Sequence, residues 1–218
     1  MTARLTILVG VLTLAACTRS EEVKRPVATS LIDAAERGDT AAITAALGGG
    51  VDVNAASSSG DTALMAAAAN GHLATVNALL ARGAAVAPRD ERGVTALWEA
   101  AGAGHAAVVG ALLAAGADPN APNAEGSTPL MAAAADGHLD VCKILLEKGA
   151  QVNAQSKIGV TALMEAADED HAEVVALLLA KGADPKLQNE DGETALSLAL
   201  DLDNDETVAA LRKAGTSE

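Results

Sequence analysis

Five glycines, Gly60, Gly93, Gly126, Gly159 and Gly192, stand 33 residues apart. Thr62, Thr95, Thr128, Thr161 and Thr194 keep the same step, two residues after each glycine. Leu64, Leu97, Leu130, Leu163 and Leu196 follow two residues later. A second glycine series runs through Gly50, Gly83, Gly116, Gly149, Gly182 and Gly215, and His72, His105, His138 and His171 hold the period too. A chain with this many residue types in register is a stack of like units. Each unit buries its apolar face against its neighbours instead of in one shared core.

Every unit reads the same way. The Thr is an N-cap, because its hydroxyl can accept from an orphan N–H of the first helical turn. An Ala-rich helix follows, as in Leu130-Met131-Ala132-Ala133-Ala134. Gly71, Gly104 or Gly137 then supplies the left-handed backbone that stops it. A second helix carries apolar residues such as Val141, Leu145 and Leu146, ends at the next glycine, and leads into a turn such as Asp118-Pro119-Asn120. Half the residues are apolar, yet Phe and Tyr are absent and Trp98 is the sole aromatic. A sheet would draw on aromatic and β-branched residues, so the composition favours an all-α body.

These units resemble ankyrin repeats, on the strength of Gly126-Ser127-Thr128-Pro129-Leu130, Gly137-His138, Leu145-Leu146 and Gly149-Ala150 recurring at that family's period. The resemblance implies an all-α solenoid of helix-turn-helix units with β-turn or hairpin tips. It covers residues 27–218 as six repeats starting at 27, 60, 93, 126, 159 and 192. Asp170 and Asp203 replace the helix-ending glycine in the last two repeats, which marks these as the loosest part of the stack. The terminal repeats carry Asp39 and Asn204 where inner ones have His, as caps with one unpartnered face would.

The family binds proteins through its tips and the inner face of its first helices. Carried onto this chain, that implies Arg89, Asp90, Asn123, Glu125, Lys157 and Asn189 at the tips. On the helices it implies Trp98, Glu99, Asp136, Glu165, Asp168 and Glu169. Met65, Trp98, Met131 and Met164 share one helix position, readable as packing between repeats or as an apolar ridge on the concave face. Trp98 is the anchor expected of such a ridge.

The first residues are an address. Arg4 precedes an apolar run from Leu5 to Ala16, too short to span a bilayer and of the form of a secretory signal. Leu14-Ala15-Ala16-Cys17 resembles the lipobox of bacterial lipoproteins. The expectation is therefore a signal peptide over 1–16 and a lipid attached at Cys17. A flexible tether over 17–26 would hold the folded body close to the membrane. Thr18 instead of Asp after the Cys implies, for a Gram-negative host, the outer membrane facing the periplasm.

Other chemistries find little support. Equivalent histidines in stacked helices stand roughly 8–10 Å apart, whereas zinc ligands must converge within about 4 Å. Asp201-x-Asp203-x-Asp205 lacks the Gly and Glu that would complete a calcium loop. Cys142 sits among apolar residues, and Gly48-Gly49-Gly50 has no following Lys-Ser/Thr. No catalytic set, metal site or cofactor is expected. A net charge of −14 disfavours nucleic acid and reads either as a solvated exterior or as a match for a basic protein partner, the protein partner being bound by a monomeric solenoid. A scaffold and an inhibitor or immunity protein occluding a toxin or envelope enzyme both fit this reading. An enzyme or a passive spacer is the reading from a different class.

Overall fold

The computed structural model describes residues 30–201 and 205–215. Among them, six helix pairs follow one another. They are α1 (30–36) with α2 (Thr40–Gly48), α3 (Ala63–Ala69) with α4 (Leu73–Ala81), and α5 (Ala96–Gly102) with α6 (Ala106–Ala114). The rest are α7 (Pro129–Ala135) with α8 (Leu139–Glu147), α9 (Ala162–Asp168) with α10 (Ala172–Ala180), and α11 (Ala195–Asp201) with α12 (Asp205–Gly215). First helices stack on first helices and second on second, so each pair touches only its neighbours. No strand forms among the described residues; an isolated antiparallel bridge joins Ala56 to Thr62. No helix there is long and apolar enough to cross a membrane. The lipobox Cys17, Asp203 and Asn204 lie outside the described residues.

The repeated side chains do what their chemistry dictates. Thr62, Thr95, Thr128 and Thr161 cap their helices by accepting from the N–H three residues on, at 3.2–3.4 Å. Leu31, Leu64, Leu97, Leu130 and Leu163 are buried on the first helices. On the second helices one position is filled by Ile43, Val76, Val109, Cys142, Val175 and Val208, and another by Leu79, Leu112, Leu145, Leu178 and Leu211. Full burial of each such aliphatic side chain stabilises by about 1.5–3 kcal/mol against exposure. Buried alanine pairs such as Ala100-Ala101 and Ala133-Ala134 let the first helices approach closely.

The histidines rivet repeat to repeat. Nε2 of His72, His105, His138 and His171 donates to the carbonyl oxygens of Glu36, Ala69, Gly102 and Ala135 in the preceding repeat, at 2.8–3.0 Å. Each ring also lies against the glycine that ends the preceding first helix. A Cβ on Gly104 would come 2.6 Å from the His138 ring, and its φ is +74°. The one exception explains itself. Asp170 occupies the left-handed region at φ 55°, and the residue 33 beyond His171 is Asn204, not His. The Asp170 carboxylate accepts from the Thr207 hydroxyl at 2.9 Å, linking the last two repeats. The position expected to loosen the stack therefore carries a bond across it.

Two polar ladders complete the stack. At the tips, Glu91, Ala124, Lys157 and Glu190 each donate their N–H to the carbonyl of Ser59, Arg92, Glu125 and Ile158 in the preceding tip, at 2.8–3.0 Å. Behind the tips, asparagines clamp successive connecting segments. Asn120 accepts from the Gln151 N–H at 2.7 Å and donates to the Gly149 carbonyl at 3.1 Å. Asn153 does the same to Asp184 and Gly182, and Asn54 accepts from Ala85.

Candidate functional site

The tips are hairpin-like turns closed by their own side chains. Asp90 accepts from the N–H groups of Arg92 and Val94. Asn123 accepts likewise from Glu125 and Ser127, and Asn189 from Asp191 and Glu193. Ser57 and Ser156 stand at the same position and also accept backbone N–H groups of their turns. Asp90, Asn123 and Asn189, expected among the partner-binding tip residues, hold the turn together; Asn123 and Asn189 stay partly exposed, whereas Asp90 is only 8 % exposed. A short side chain with an oxygen satisfies orphan turn amides, which is why the position cycles among Ser, Asp and Asn. Arg89 is exposed, but its Nη1 donates to the carbonyls of Gly93 and Pro122 and braces two adjacent tips. Glu125 and Lys157 project as exposed side chains. Ile158, which the sequence reading passed over, is the most exposed large apolar side chain of the tips, at 57 %.

The first-helix face behind the tips is mixed. Met65, Met131 and Met164 are buried, so the stripe is packing at three of its four positions. Trp98 alone remains partly exposed, with its indole Nε1 buried and unpaired among the described residues. Its N–H is out of a ligand's reach, but the exposed part of the residue is apolar surface left to offer. Glu99 beside it accepts from the Arg92 guanidinium at 2.6 Å, and Arg92 also grips Asp90 at 2.8 Å. Arg92, missed from sequence, thus ties a tip to the helix behind it.

Two acidic centres flank Trp98. Toward the first repeat, a recess of about 340 Å³ opens between α1, α3 and the first tip, lined by Ile32, Glu36, Asp61, Met65, Asn70 and Glu99. Hydrogen bonds from the Ser59 and Ser57 hydroxyls hold the Asp61 carboxyl below its ordinary range, against the opposing effect of burial. Toward the last repeats, half-buried Glu165 lies near Asp136, Asp168 and Glu169, which are exposed. Burial first, and then the charges of Asp168, Glu169 and Asp136, push the Glu165 carboxyl above its ordinary range.

The chemistry available is that of a binding surface. Among the described residues no three His, Cys, Asp or Glu side chains are placed to hold a metal ion. Cys142 is fully buried in a position that otherwise holds valine or isoleucine, and burial pushes its thiol up to about 12, far from a reactive thiolate. A family model for ankyrin repeats matches the chain over residues 31–123, 88–158, 112–189 and 154–217. A search of curated proteins returned no match.

Proposed function

This chain belongs to the ankyrin-repeat family, a family of protein-binding modules, and we infer that it binds a basic protein surface along its first-helix face. The observation that carries this reading is the pairing of chemistries there. Trp98 is the partly exposed aromatic, and carboxylates lie on both sides of it: Glu36, Asp61 and Glu99 on one, Asp136, Glu165, Asp168 and Glu169 on the other. An aromatic anchor flanked by like charge suits a partner segment with an apolar residue between Lys or Arg groups. The raised affinity of Glu165 for a proton gives that partner something to relieve, since an incoming cation favours the ionised form.

The lipobox at Cys17 supports placing this module on a lipid anchor at the periplasmic side of a bacterial membrane. There it would hold an envelope protein in place or occlude it.

The test is affinity capture from detergent-solubilised envelopes with the full chain and a variant carrying Trp98→Ala, Asp168→Lys and Glu169→Lys. Both acidic positions are exposed at the end of α9, where a Lys suits the helix dipole, so the stack should stay folded. Stoichiometric recovery of one protein, salt-sensitive and lost with the variant, is the expected result. Equal recovery by both chains would sink the assignment of this face. Loss of the partner's own activity in the complex would identify an inhibitor, and retained activity a scaffold. Mass spectrometry of the N-terminus decides the anchor: an unmodified Cys17 excludes it.

A further inference from the structure

The segments joining one helix pair to the next are variants of a single turn, and one of them lacks every polar part of it. In segments 51–55, 117–121 and 183–187, the carboxylates of Asp52, Asp118 and Asp184 accept the N–H two residues on, at 2.9–3.0 Å. Ala55, Ala121 and Ala154 close their turns by donating to the carbonyls of Asp52, Asp118 and Gln151. Asn54, Asn120 and Asn153 then clamp the following segment. Segment 84–88 lacks all three parts: Ala85 has no carboxylate, Ala87 no carboxamide and Pro88 no N–H.

The consequence falls on the next segment. The Asp118 N–H and the Gly116 carbonyl stand where Gln151 and Gly149 stand one repeat later, and they receive no carboxamide from the chain. A cleft of about 230 Å³ lies at this place. Val86, Ala87 and Leu97 give it apolar lining, Gly116 and Asp118 border it, and Arg89 stands at its edge. Arg89 braces that edge through the carbonyls of Gly93 and Pro122.

We propose that this cleft is a socket for a carboxamide side chain, Asn or Gln, presented by a protein partner. The chain supplies its own precedent, since Asn120 and Asn153 each fill the equivalent place with one acceptor and one donor. A carboxamide matches an adjacent N–H and C=O simultaneously. A carboxylate would satisfy the N–H and be drawn to the Arg89 guanidinium, but it would leave the Gly116 carbonyl without a donor and face the Asp118 carboxylate. An ammonium would satisfy the carbonyl and leave the N–H unmet. The socket lies apart from Trp98 and the acidic centres, so a partner using it engages a second side of the second and third repeats. Only the source of the carboxamide rests on the protein-binding reading above.

Amide chemical shifts of the full chain titrated with propionamide, propionate and propylammonium test the socket directly. Propionamide should shift the Asp118 N–H saturably, at millimolar concentration, and leave Ala85, Gln151 and Asp184 in place. The two ions should not. Ala87→Asn supplies the missing clamp and should abolish the response, and Ala87→Leu, which fills the cleft without a carboxamide, should do the same. No saturable shift at Asp118, an equal shift from propionate, or a response surviving both substitutions overturns the proposal. In the capture experiment, Ala87→Asn should reduce recovery of the partner at least tenfold. Undiminished recovery overturns the partner-borne source. Failure to capture any protein counts against the function proposed above, while the propionamide titration still decides the socket.

Discussion

Two neighbouring junctions of this stack share their apolar layers and differ in how their connecting segments are tied. Where segment 117–121 meets 150–154, Asn120 clamps the two together; where 84–88 meets 117–121, Ala87 has no carboxamide to make that clamp. Behind both, the same layers persist. Leu97 and Leu130 are equally buried, as are Leu112 and Leu145, and the tip ladder runs unbroken through Ala124 and Lys157. The difference teaches that the stack separates its duties. Apolar layers and histidine rivets hold the repeats together, and the asparagine clamps only set the outer loops. A clamp can therefore be given up, and a cleft opened, without disturbing the core.

The largest test addresses the shared part. Leu112→Ala and Leu145→Ala should each cost about 2–5 kcal/mol in urea unfolding, by lost transfer energy and a residual cavity. Similar losses uphold the comparison. A much smaller loss for Leu112→Ala would mean that the open junction extends into the core. Next in size, Asn120→Ala should cost about 1–2 kcal/mol by leaving two backbone groups without their partner. Hydrogen exchange at Gln151 should then approach that at Asp118. Ala87→Asn runs the other way, with a gain of about 0.5–1 kcal/mol and new protection at the Asp118 N–H.

The smallest effect belongs to a site outside both junctions. Glu165→Gln should stabilise by about a few tenths of a kcal/mol at neutral pH, the partial exposure of this group limiting the gain. A carboxyl whose value is raised on folding favours the folded state when protonated. That contribution is complete below the ordinary carboxylate value and is lost as pH rises through the raised one. The advantage of Glu165→Gln should therefore fade on acidification through that interval, and thermal unfolding from neutral pH to pH 4 measures it. A pH-independent difference would show that Glu165 acts by packing alone.

Much of this was legible in the chain. The glycine, threonine and leucine series gave the period, the caps and the helix pairs, because each marks a local backbone event that only a few residue types perform. Cys142 was readable as core from its apolar neighbours. The tips were harder. Asp90, Asn123 and Asn189 look like a variable recognition set until the turns show five side chains doing one job with different oxygens. Their signal was present, since the 33-residue register at that position holds only Ser, Asp and Asn. The methionine stripe left two readings open for the opposite reason: a flexible apolar side chain at a constant position says nothing about which way it is covered. The clamp could not be read from the register, because each asparagine pairs with a residue 31 positions on. Arg92 escaped for a similar reason, as its partners on the tip and the helix are set by the turn between them.

The absence of Phe and Tyr leaves Trp98 as the one chromophore of its kind in the chain. Near-ultraviolet light therefore excites a single indole on α5, with its nitrogen covered and part of its ring open. Emission from this protein is a local gauge. A ligand seated on the first-helix face should shift its colour, while fraying of the terminal repeats should leave it dark to the change.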